Sequence, residues 1–291
     1  MKTLFDKMYT RKEWVFIKIP LFLFWIKHLG LILNKGYQAS LSKGMCQLID
    51  CRFFLSIDNK ILILSISWLL GILFILEIKM KWTTLILFVV SMIIYSAEES
   101  SGVLSRSGMF SFIFFAQSVA YWIGDFNTDS KSLWRNRIQF SMQAVAIAYF
   151  LSACSKLIDS GLSWPSDGHR ITLQIVKSFN YNWVTNLESS ELDKAAYFVE
   201  FINQNQSILL ILLSISLLLE FFIPVAIIHR GYARIYGLAL FGMHLGIYYF
   251  MDIVIVSFVV PMTIIFINPL YCLSFFLDKS FKRLNKSTKI S

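Results

Sequence analysis

The sequence predicts an all-α, polytopic transmembrane helical bundle of about eight spans with both termini cytoplasmic. Three observations predict it. Hydrophobic residues fill 56% of the 291 positions and charged residues only 15%, with 27 phenylalanines, which is more apolar surface than one soluble core can hide. The apolar residues gather into eight runs, several near the roughly 20 helical residues that a hydrocarbon core of about 30 Å requires. Lys and Arg are divided unevenly between the connecting segments: with the N-terminus inside, the inner segments hold sixteen of the 27 and the outer ones eight.

The runs follow in order. Trp14 to Leu33 is interrupted by Lys18, Pro20 and Lys27, so it either spans or lies in the interface as an amphipathic helix. Ile61 to Leu76 is the second, and Trp82 to Tyr95, a short one, the third. Met109 to Ile123 and Ile138 to Ile158 come next, then Ser207 to Ile228, Ile235 to Phe250 and Ile253 to Phe276. The basic start MKTLFDKMYTRKEW carries no small-residue cleavage site, so the N-terminus is expected to be retained.

The whole of 1–291 reads as a single membrane domain with no separate soluble domain. Its longest outer segment, Asp159 to Gln206, contains HRITLQIVKSF and LDKAAYFVEFI, both with apolar residues three and four apart. That segment is either a lid over the outer end of the bundle or a loop resting on the lipid headgroups. Cys154 and Cys272 fall inside apolar runs, whereas Cys46 and Cys51 share a polar loop and are either a disulfide or two free thiols. The net charge of +9 lies in short clusters between apolar runs, which points to membrane orientation and not to nucleic acid. No metal-ligand spacing, nucleophile elbow or phosphate-cradling glycine loop is present in the sequence.

Ionisable groups within spans are costly, so each is a candidate site with a plainer alternative beside it. Tyr149, Ser152 and Lys156 recur at helical spacing along one stripe of the fifth run. Lys156 is either a base in a polar site or a lysine lifting its ammonium to nearby water. Glu220, in SLLLEFFIPVAII, is expected at mid-span, protonated or paired, or bonded to backbone freed by Pro224. His244 has Tyr248 one turn away and serves as acid, base or donor, or as a histidine satisfied by a carbonyl. Glu98 and Glu99 read as solvated residues of an external turn, and Trp164 as an interfacial anchor.

The order YFLSACSKL, GLSW with a glycine close behind, LLLEFF, FGMHLGIYYFMDIVIVSF and NPLYC resembles the HTTM domain, the membrane domain of vitamin K-dependent gamma-carboxylases. The resemblance covers Ile138 to Cys272 by motif and the first half by hydropathy. It implies that Lys156 is the base acting on a reduced quinone, vitamin K or menaquinol, with His244 and Glu220 as polar partners. Tyr149, Ser152, Trp164 and Tyr248 would then line the quinone site, and no metal is expected.

The sequence departs from the carboxylases in three places. Their large extracytoplasmic region is not expected here, one extra residue stands between Trp164 and Gly168, and no Asn-His pair occurs between Glu98 and Gly108. The family also contains small bacterial members, including one similar to a membrane protein that helps mature a secreted toxin peptide, and this chain resembles those in size and architecture. The expectations are therefore a multi-pass protein of a bacterial cytoplasmic membrane with carboxylase-like quinol chemistry on a partner peptide. The alternatives are a non-catalytic factor for maturation or export of such a peptide and, third, a small-molecule transporter.

Overall fold

The computed structural model describes residues 9–35, 44–51, 53, 56, 59–100, 108–124, 130–166, 168–253 and 256–287. Every regular element among them is helical. Lys2, Lys7, Lys43, Arg52, Arg106 and Lys289, which entered the charge count, lie outside the described residues. The chain divides into two units: Met1–Val145 with His229–Gly231 and Ser257–Ser291, and Ala146–Ile228 with Tyr232–Val256.

The first unit begins with α1, Arg11–Lys35. Thr10 and Glu13 start it as a reciprocal capping box: the Glu13 amide donates to Thr10 Oγ1 (3.3 Å) and the Thr10 amide to Glu13 Oε2 (3.1 Å). Pro20 stands inside the helix, and Lys18 is buried, with only 4% of its side chain exposed. Lys18 is therefore an internal partner, not a break in the run. The helices α2, Lys60–Ile75, and α3, Met80–Ser100, follow. The expected short third run extends at both ends, because Met80, Lys81 and the stretch SAEES continue its helix.

That extension corrects one expectation. Glu98 and Glu99 belong to the last turns of α3, where Glu98 is buried and Glu99 accepts from the Tyr95 hydroxyl at 3.0 Å. The helix α4, Gly108–Gly124, and the first half of α5, Ser130–Ser160, complete the front of this unit. Gly71 of α2 lets the ring of Phe22 lie directly against its backbone. A disulfide joins Cys46 to Cys51, resolving the choice that the sequence left open.

In the second unit α5 ends where Gly161 takes the left-handed conformation, φ 62°, as helix-terminating glycines do. A 3-10 turn, Gly161–Ser166, leads to α6, Gly168–Asn186, and α7, Ser190–Gln204. These two contain the amphipathic stretches expected in the outer segment. They pack on each other through Ile175, Phe179, Ala195 and Ile202, with Phe198 and Met251 alongside. The chain then bends by 90° at Asn205 into α8, Gln206–Phe221. Pro224 has no amide hydrogen to continue the ladder, so the expected run to Ile228 breaks into α8 and a short α9, Val225–Ile228.

The helix α10, Arg230–Met251, carries the chain on. It is followed by α11, Val256–Met262, a π-turn at Thr263–Ile267, and α12, Pro269–Ser287. Asn268 between the last two is left-handed, φ 51°, a conformation that asparagine tolerates better than most residues. Its side chain donates to the Glu13 carbonyl, and buried Arg230 pairs with Glu13, so the start of α1 is tied to two residues that its unit takes from late in the chain.

Four of these helical stretches are long and apolar enough to cross a membrane: Arg11–Asn34, Met80–Ser100, Trp134–Ser166 and Val256–Asp278. The bent pair α7 and α8 would make five if counted as one span, and α2 and α4 are shorter apolar helices. These helices are consistent with an integral membrane protein.

Candidate functional site

The second unit brings four of the expected residues together. Tyr149 and Lys156 lie two turns apart on α5, which puts both on one face. Lys156 Nζ donates to Glu220 Oε2 at 2.5 Å. The carboxylate is 6% exposed and the lysine side chain 24%. Instead of extending to water, the ammonium is held by an acid 64 positions away in sequence. Glu220 occupies the last turn of α8, just before the break at Pro224, and Phe221 beside it meets Phe150 at 5.3 Å.

The turn after Gly161 folds the chain back so that the Trp164 ring lies 4.7 Å from Lys156 Nζ, a cation–π contact. The Tyr149 hydroxyl and His244 Nε2 are 2.7 Å apart, with their rings edge to face. Nδ1 of His244 is buried and has no hydrogen-bond partner among the described residues. Glu220 is near enough to act electrostatically on the Tyr149 hydroxyl, and Lys156 on the His244 ring, so the two pairs form one polar group.

Two expected members stand apart. Ser152 shares the stripe of Tyr149 and Lys156 on α5 but is exposed. Tyr248 is 51% exposed, and the partner of His244 is Tyr149, not its neighbour on α10. The hydroxyl of Ser216, one turn before Glu220, donates to Met243 Sδ at 2.9 Å, a contact that sets α8 against α10 and that the sequence gave no reason to expect.

Such a group can move a proton. It offers an acid and an amine sharing a short contact, a phenol bonded to an imidazole, and one imidazole nitrogen left for a ligand. Among the described residues no cluster of histidine, cysteine, aspartate or glutamate is arranged to hold a metal ion. The fold and the site define an all-helical protein with membrane-length apolar helices and a partly buried Lys–Glu–His–Tyr group. No family model, curated protein or solved structure matches the chain.

Proposed function

We propose that this chain is an eight-span protein of a bacterial cytoplasmic membrane, with both termini inside, that deprotonates a lipid-soluble quinol at the Lys156 site. The observation that carries the reading is the 2.5 Å contact between Lys156 and Glu220, beside an imidazole nitrogen with no partner among the described residues. Lys156 hands its proton to Glu220 across that contact and takes one from the bound hydroxyl. His244 Nδ1 meets a second polar atom of the ligand, Tyr149 fixes the imidazole from its other nitrogen, and the Trp164 ring offers an apolar face. A reduced vitamin K or menaquinone supplies the oxidisable ring that such a base acts on. The motif resemblance to the HTTM domain supports the same assignment of Lys156. A secreted peptide is the proposed partner, and the proposed outcome is its carboxylation, with dioxygen oxidising the quinol and carbon dioxide supplying the carboxyl group.

The Cys46–Cys51 disulfide supports the proposed orientation, since such bonds persist in oxidising compartments. The test is Lys156→Arg. Arginine keeps the charge and the pair with Glu220, so the variant is expected to insert and fold, yet it cannot release a proton near neutral pH. Turnover of reduced menaquinone by purified protein is expected to fall by about a hundredfold or more. An active Lys156→Arg protein would reject the base and leave a non-catalytic peptide-maturation factor as the reading.

A further inference from the structure

The first unit holds a second polar cluster that the Lys156 site does not use. It gathers where α1, α3 and α5 begin and α2 and α4 end, so alternating helices bring their termini to one side. The turn between α2 and α3 has two left-handed residues, Glu77 (φ 60°) and Lys79 (φ 43°), and it presents Glu77 to α1. Lys18 Nζ donates to the Ile75 carbonyl and to Glu77 Oε1, both at 2.7 Å. Arg137 Nη1 stands 4.0 Å from the other oxygen of Glu77, outside hydrogen-bonding distance.

The Arg137 guanidinium lies over the ring of Tyr121 at 4.1 Å and of Trp134 at 4.5 Å. Only 12% of its side chain is exposed, against 4% for Lys18 and 20% for Glu77. Two cations therefore share one carboxylate in a region mostly shut off from water. One positive charge is left over, which is costly unless a counter-charge arrives.

The unmet hydrogen-bonding groups point the same way. Arg137 Nε and Nη1 are buried with no hydrogen-bond partner among the described residues, and the Trp14 indole N–H and the Tyr121 hydroxyl, buried too, have none there but each other. The Trp14 indole is fully buried and lies beside the Tyr121 hydroxyl. Gln117, one turn before Tyr121, donates to the Arg137 carbonyl at 2.7 Å and to the Ser141 hydroxyl, which fixes α5 against α4. Arginine and indole only donate, and the phenol can, so the group matches an acceptor that carries negative charge.

The surroundings suggest where that acceptor comes from. Trp82 and Trp122 meet edge to face, about half exposed, and Lys81 lies over the Trp122 ring at 5.0 Å. Arg11 sits over Trp134 at 5.8 Å. Tryptophans and basic residues together at the ends of apolar helices occupy the depth of lipid phosphates.

We propose that Arg137, with the Trp14 indole and the Tyr121 hydroxyl, binds a singly charged phosphate group. One negative charge brings Lys18, Arg137 and Glu77 to neutrality, and two would overshoot. An anionic lipid headgroup and free inorganic phosphate both supply this chemistry, and the tryptophan rim favours the lipid.

The experiment is native mass spectrometry of the full-length protein in neutral detergent, titrated with phosphatidylglycerol or phosphatidylcholine of the same acyl chains. Phosphatidylglycerol is expected to bind about tenfold more tightly, as one molecule per chain, and Arg137→Gln to remove that preference. Tyr121→Phe takes away only the hydroxyl and keeps the ring under Arg137, so it decides the matter if the arginine variant does not fold. Its binding of phosphatidylglycerol is expected to fall about threefold at unchanged thermal stability. Equal binding of the two lipids, with inorganic phosphate bound and weakened in Tyr121→Phe, would overturn the lipid source in favour of free phosphate. Unchanged phosphatidylglycerol binding in the folded variants, or no binding of either ligand, would overturn the site.

Discussion

Lys156 and Glu220 each read in the sequence as a charge in the wrong solvent, and each resolves the other's cost. A buried pair of this kind adds little net stability over an apolar pair of the same volume, but removing one member leaves a charge with neither water nor partner. Glu220→Leu is expected to cost about 2 kcal/mol, less than a fully enclosed pair because a quarter of the lysine side chain remains exposed. Lys156→Met added to Glu220→Leu should recover at least half of that loss, as measured by thermal unfolding in detergent. Losses that simply add would show that the two side chains are not coupled. The same logic explains Lys18, whose burial looked like an interruption of the first run until Glu77 and the Ile75 carbonyl were placed against it.

At the scale of elements, small residues and left-handed turns decide how the helices meet. A Cβ on Gly71 would fall 1.7 Å from the Phe22 ring, and Phe22 is fully buried with its neighbours Trp25 and Trp68 around it. Gly71→Ala is therefore expected to destabilise by about 1–3 kcal/mol despite alanine's better helix propensity, whereas Gly30→Ala, where nothing stands within 4 Å, should be neutral or slightly stabilising. Comparing the two melting temperatures checks this, and equal shifts would mean that α1 and α2 do not approach so closely. Close approach through a small residue is how apolar helices gain contact where lipid competes equally for their leucines. At Gly161 the left-handed turn does a different job, reversing the chain so that Trp164 returns over Lys156.

For the whole molecule, the proposed orientation makes a direct claim about access. With Cys154 and Cys272 replaced by serine, a cysteine at Ser130 or in the C-terminal tail should be protected from an impermeant thiol reagent in intact cells. One at Ser166, which is exposed in the turn before α6, should react. Labelling at Ser130 would reverse the topology. Four stretches are of membrane length, whereas α2 and α4 are shorter and would cross a bilayer only with polar ends reaching outward or with local thinning.

Composition and run length are enough to read a helical chain with membrane-length apolar segments. Apolar composition set the helical class, and the runs marked where most helices lie, because backbone groups in hydrocarbon must be satisfied within their own segment. The sequence also located Lys156, Glu220, His244 and Tyr149, since a polar group in an apolar run stands out without any knowledge of its neighbours. Only the tertiary structure decided the partners. Nothing in local spacing tells Lys156 to seek Glu220, His244 to prefer Tyr149 over Tyr248, or Arg137 to lie over Tyr121 beside Glu77. Helical periodicity fixes which residues share a face, whereas pairing depends on how helices distant in sequence are set against one another, and that register follows from packing at residues such as Gly71 and Ser216.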